Sequence, residues 1–233
     1  MSVWSLVRTK RAVFFDLFHT LTALEIIPGV ERPGTHEMLG VPKDAWNAQL
    51  LENSRDRLVG IARDPVRFVT NMAHAIDPTI SQERILAAVA NRRERFRAAL
   101  VQMPQETIRV LRSLKQHGRR LGLISNADVL EVAAWSACPA AALFDVTIFS
   151  CEVGLVKPEP AIYELGLRRL GVTAKESLFV GDGGSDELQG ARRVGLTAVM
   201  VQGIARQVWP EKLAERAAQA DAVIETLGEL LAP

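Results

Sequence analysis

Four positions of this 233-residue chain stand at the carboxyl ends of apolar runs and carry side chains able to do chemistry. They are Asp16 after AVFF, Ser125 with Asn126 in LISNA, Lys157 in VGLVKPEP, and Asp182 with Asp186 in SLFVGDGGSDE. A carboxylate that ends a buried strand costs several kcal/mol unless it is paired or bound to a cation. One such acid is accounted for equally well as the cap of a turn or helix. Two of them on two strands, with a lysine, are better explained by mutual pairing around a metal ion. Three carboxylates with further oxygen donors suit magnesium, which prefers oxygen ligands and keeps several waters.

The elements that must hold these groups are legible as short apolar runs. Residues 12–18 (AVFFDLF) read as a strand buried on both faces, and runs follow at 121–125, 145–150, 177–182, 197–202 and 221–224. Segments such as TIRVLRSLKQHG and AIYELGLRRLG lie between them, with apolar residues at helical spacing and a glycine stop. Strand and helix in alternation predict an α/β fold, a doubly wound parallel sheet with right-handed crossovers that place helices on both faces. In such a sheet the ligand crevice lies beyond the carboxyl ends of the strands.

Residues 22–101 break this rhythm, being charged and helix-rich with no buried strand, and Ser81 is placed to cap the last of their helices. The expected organisation is therefore a core of residues 1–21 and 102–233 with a helical cap over 22–101. The ERPG stretch (31–34) reads as a linker turn.

Composition narrows the partners. Lys and Arg total 28 against 27 acids, so no global field favours nucleic acid or an anionic membrane, and anion binding must be local. No apolar run approaches the roughly 18 residues of a membrane span, and the N-terminus lacks a secretory segment, so a cytoplasmic protein is expected. Cys138 and Cys151 have no disulfide or metal spacing and read as buried thiols. A small-molecule substrate, and a monomer or homodimer, are the expected partners.

The four features in this order resemble the motifs of the haloacid dehalogenase-like (HAD) hydrolase superfamily: Asp16-Leu17-Phe18-His19-Thr20-Leu21-Thr22, Ser125 in LISNA, Lys157 in VGLVKPEPAIY, and GDGGSDELQGA around Asp182 and Asp186. The helical insertion also falls where members of that superfamily carry a cap. The resemblance implies a Rossmann-like core and a magnesium-dependent hydrolase, most commonly a phosphatase of a small phosphorylated metabolite. Asp16 would be the nucleophile that forms a covalent aspartyl intermediate. Ser125, with Asn126, would bind the transferring group, and Lys157 would set a cation beside Asp16 and the developing charge. The metal would be held by Asp16, the backbone carbonyl of Phe18, Asp182 and Asp186.

One position departs from the pattern. Phosphatases of the superfamily usually carry a second aspartate two residues after the nucleophile, where this chain has Phe18. Phenylalanine transfers no proton, a function worth about 10²- to 10⁴-fold in rate. Three readings stay open on the sequence: a phosphatase whose leaving group needs little protonation or whose proton comes from His19 or a cap residue; a 2-haloacid dehalogenase, whose halide leaves without a proton; and a non-catalytic binding or regulatory module. Of the remaining residues, Trp46, Trp135 and Trp209 read as packing, and Arg92, Arg93, Arg95 and Arg97 as a solvated helix face. Glu25 and Glu31 read as exposed linker acids, and Tyr163 as part of an apolar helix face.

Overall fold

The computed structural model describes residues 3–27, 32–52 and 54–232; Glu31 lies outside them. Six parallel strands form one sheet in the order β3-β2-β1-β4-β5-β6: β1 (Ala12–Phe15), β2 (Arg120–Ser125), β3 (Val146–Phe149), β4 (Ser177–Gly181), β5 (Thr197–Val201) and β6 (Ala222–Ile224). This is the Rossmann-like α/β arrangement expected from the six apolar runs. The first strand is central because both its neighbours, β2 and β4, pair with it along its whole length.

Alternation along β1 supplies two cores. Val13 and Phe15 join one cluster with Ile108, Leu111 and Leu114 of a helix over Gln105–Gln116, while Ala12 and Phe14 join another on the opposite face with Ile162, Tyr163 and Leu188. A buried leucine or phenylalanine contributes about 1.5–3 kcal/mol relative to its exposed state, so these runs can be strands only with helices on both sides.

The chain enters this core through α1 (Val3–Val7), and the segment after β1 builds the cap: α2 (Thr35–Leu39), α3 (Lys43–Glu52), α4 (Ser54–Leu58), α5 (Pro65–Ile76) and α6 (Gln82–Val101). Ser81 caps α6 as its sequence predicts, accepting from Arg84 N at 3.3 Å. The cap helices close on a third cluster that includes Trp46, Phe68, Met72, Ile85 and Phe96, joined by Leu130 from the loop after β2. The core resumes with α7 (Gln105–Gln116), α8 (Ser150–Val153), α9 (Pro160–Leu170), α10 (Glu187–Arg193), α11 (Gly203–Val208) and α12 (Leu213–Ala217). Among the described residues no helix is long and apolar enough to cross a membrane.

The basic face of α6 differs from the expectation. Arg92 is buried, not solvated: its guanidinium lies 4.7 Å from the Phe96 ring and 2.5 Å from Glu131 Oε1, in the cap–core junction. Charge pattern along a helix shows which face is polar, but not that a second domain will cover part of it.

Candidate active site

Sheet register brings the expected residues to one edge. Phe15 is level with Leu123 on β2 and with Val180 on β4, so Asp16 just past β1, Ser125 as the last residue of β2 and Asp182 just past β4 gather within about one residue of register at the carboxyl edge of the sheet. Asp16 is tied in by its own N–H, which donates to Val180 O at 2.9 Å. These residues line a cleft of about 500 Å³ with Phe18, Asn126 and Lys157.

The centre of the cleft is a buried charge cluster. Lys157 Nζ donates to Asp16 Oδ1 and to Glu187 Oε2, both at 2.5 Å, and Thr20 Oγ1 donates to Asp16 Oδ2 at 3.2 Å. Burial alone would lower the pKa of Lys157, but the charges of Asp16 and Glu187 outweigh it and raise it, so the lysine stays cationic. Burial together with the charges of Asp16 and Asp182 pushes Glu187 well up despite the attraction of Lys157.

Asn126 lines the cleft, but its side-chain amide is committed to the backbone: its Nδ2 donates to Lys157 O at 2.9 Å and its Oδ1 accepts from Lys157 N at 2.8 Å. Its observed work is to place the lysine. Ser125 is buried at the end of β2 and lines the cleft.

The acidic motif divides differently from its reading as sequence. Carboxylate oxygens of Asp16, Asp182 and Glu187 lie within 4.8 Å of one another, all buried. Asp186 is exposed, and its Oδ1 accepts from Gln219 Nε2 at 2.9 Å. Ser185 and Asp186 both adopt left-handed backbone, φ 54° and 51°, and this turn points Glu187 inward at the start of α10. Nothing in the letters GSDEL distinguishes which acid faces in. Three clustered carboxylates form an all-oxygen set that fits a magnesium ion.

The mouth of the cleft contains residues that pattern alone set aside. Trp209, expected to be packing, lies on the cleft wall with its ring 4.5 Å from that of His19. His19, in left-handed backbone at φ 63°, brings Nε2 to 3.2 Å from Glu25 Oε2. Burial opposes protonation of His19, but Glu25 and, behind it, Asp182 and Asp16 raise its pKa above the ordinary value. It is a titratable group on the nucleophile's own loop. Phe18 is half-buried against the cap, its ring 5.1 Å from Phe96 and edge-on to it. Arg216, in α12, reaches back to Asp182, and no sequence signal marked it. Tyr163 packs as expected, with its hydroxyl donating to Glu187 O at 2.8 Å, and Cys138 and Cys151 are buried free thiols.

Comparison with known proteins places this geometry. The family described as haloacid dehalogenase-like hydrolase matches residues 10–195. A glyceraldehyde 3-phosphate phosphatase of Methanocaldococcus jannaschii is 32% identical over 199 residues, 82% of this chain and 84% of the relative. The crystal structure of a HAD phosphatase from Thermococcus onnurineus superposes with a TM-score of 0.57 at 28% identity, covering 94% of this chain and 95% of that one. L-2-haloacid dehalogenase from Xanthobacter autotrophicus shares the fold, with a TM-score of 0.60 at 20% identity and coverage of 95% and 96%. The order of the motifs, the register that gathers them and the extent of these matches agree: the chain is a hydrolase and belongs to the haloacid dehalogenase-like family.

Proposed function

We propose that the protein is a magnesium-dependent phosphatase of a small phosphorylated metabolite that works through an aspartyl-phosphate at Asp16. The observation that carries this reading is the buried Asp16 carboxylate held by Lys157 at 2.5 Å with Asp182 and Glu187 beside it. A cation fixed on the nucleophile, in a cleft lined with acids, suits attack on an anionic centre. The similarity to a glyceraldehyde 3-phosphate phosphatase supports a substrate of triose or sugar phosphate size.

In this reading Asp16 attacks phosphorus and the ester oxygen leaves; water then attacks the aspartyl-phosphate, regenerating the carboxylate and releasing phosphate. Ser125 donates a hydrogen bond to a phosphoryl oxygen. Lys157 is oriented by the backbone clamp of Asn126 and offsets the charge that builds on that group. Magnesium would be held by Asp16, the Phe18 carbonyl and Asp182, with Glu187 as the nearest further carboxylate and Asp186 available only if its loop turns. When bound, the ion neutralises charge between nucleophile and phosphoryl oxygens.

The test is phosphate release from glyceraldehyde 3-phosphate, acetyl phosphate and p-nitrophenyl phosphate with and without magnesium. Activity that needs the metal and disappears in Asp16→Asn supports the reading. Metal-independent halide release from 2-chloropropionate, with no phosphate released from any of the three, would overturn it in favour of dehalogenation.

A further inference from the structure

Arg216 is built into the site more closely than a surface ion pair. Its aliphatic stem lies against Gly183, where a Cβ would come 2.8 Å from Arg216 Cβ and 3.1 Å from its Cγ, and Gly183 holds φ 87°, a conformation that glycine adopts without strain. Its guanidinium sits 4.9 Å from the centre of the Trp209 ring. Its Nη1 is paired with Asp182 Oδ2 and lies 3.4 Å from the Asp182 carbonyl oxygen. The other carboxylate oxygen, Oδ1, accepts from Gly184 N at 3.1 Å. Both oxygens of the acid at the expected metal position therefore already have donors, and one of the donors is a cation.

We infer that Arg216 occupies the cation seat at Asp182, so that a divalent ion must displace its guanidinium and the arginine sets how tightly the metal is held. The inference rests on the magnesium reading above. Arginine does not deprotonate at working pH, so it leaves the seat only by moving. The Trp209 face gives the displaced group a place to remain. Like charges a few ångströms apart in a partly buried cleft repel strongly, so an ion arriving at Asp182 is opposed until the arginine shifts. A purely structural salt bridge predicts the opposite consequence of its removal: a loosened α12 and weaker metal binding.

The experiment is calorimetric titration of Mg²⁺, and of Mn²⁺ as a second oxygen-preferring ion, into the wild-type chain and into Arg216→Met, which keeps the stem on Gly183 and removes the charge. Arg216→Gln serves as a second variant should the first not fold, and Lys212→Gln, a cation lining the same cleft, controls for general charge. The expected result is metal binding at least about tenfold tighter in either Arg216 variant. Lys212→Gln should stay within about twofold of wild type, because exposed charges are screened. Equal or weaker binding in a folded Arg216 variant overturns the inference while leaving the magnesium reading intact. If neither wild type nor variant binds either ion at millimolar concentration, the magnesium reading fails and the inference falls with it.

Discussion

Asp128 offers a direct test of how the cap is held to the core. It is fully buried, and its Oδ2 lies 2.9 Å from Arg57 Nη1 of α4 and 3.6 Å from Arg92 Nη2 of α6. Its Oδ1 accepts from Leu130 N at 3.0 Å and Glu131 N at 3.1 Å, so the acid belongs to the loop that leaves β2 just after Ser125 and Asn126. Asp128→Asn keeps the shape and the Oδ1 contacts but removes the charge facing two buried guanidinium groups. Breaking a buried pair by neutralising one partner costs about 3–5 kcal/mol. The lower end, about 3 kcal/mol, applies here, because Arg92 keeps Glu131 and Arg57 keeps the Leu50 carbonyl at 2.7 Å. For a chain of this length each kcal/mol shifts the melting temperature by roughly 2–4 °C, giving a fall of about 6–12 °C by calorimetry. A further variant that replaces the whole group with apolar residues, Arg57→Met with Arg92→Met and Asp128→Leu, should recover most of that loss, because no charge is then left buried and unpaired. A melting temperature for Asp128→Asn within about 2 °C of wild type would refute the claim that this network latches the cap.

Two further outcomes follow from the same geometry. Glu131 has its pKa raised from 4.5 to about 7 by burial and by the charge of Asp128, against the pull of Arg92. Because the native state holds the proton more tightly than the unfolded chain, this group's contribution to stability is full below the unfolded value and is lost as pH rises toward the folded one. Thermal melts should therefore show stability falling between about pH 4.5 and pH 7, and Glu131→Gln should flatten that slope; an unchanged slope contradicts the assignment. Phe18→Asp places a carboxyl where phosphatases of the family carry their proton-transferring acid. It should raise turnover of alkyl phosphates by about 10²-fold relative to acetyl phosphate, whose leaving group needs less protonation. Equal effects on both substrates in steady-state assays would show that position 18 does not face the leaving group. The variant should also melt lower, since it gives up the edge-on contact with Phe96.

The six strands were legible as short apolar runs, most clearly the central β1 and β4, whose residues are buried on both faces, and less so the edge strand β6, where Val223 is exposed. Asp16, Ser125 and Asp182 were legible because polar groups at the ends of such runs must converge wherever the sheet ends, whereas Lys157, read as ending a run, lies in the loop between α8 and α9 and reaches the site from there. The cap was visible as a change of pattern from buried runs to amphipathic stripes. The fate of Arg92 was not, because its face is polar by composition and buried only when α6 meets the loop after β2. Trp209 was likewise ambiguous: an indole among loops packs or lines a cleft depending on what stands across from it, here His19 at 4.5 Å.

The order of motifs and their attachment to strands are thus properties of the chain alone, set by periodicity and by the cost of burying an unpaired charge. The direction of each side chain beyond the strand ends belongs to tertiary structure. Two left-handed residues, Ser185 and Asp186, turn Glu187 inward and leave Asp186 exposed. Arg216, in α12, meets Asp182 across 34 residues of sequence, with α10, β5 and α11 between β4 and its own helix, a proximity that local spacing does not encode. Backbone dihedrals at two positions and the packing of a distant helix decided which charges surround the nucleophile, and neither is written in the local pattern of residues.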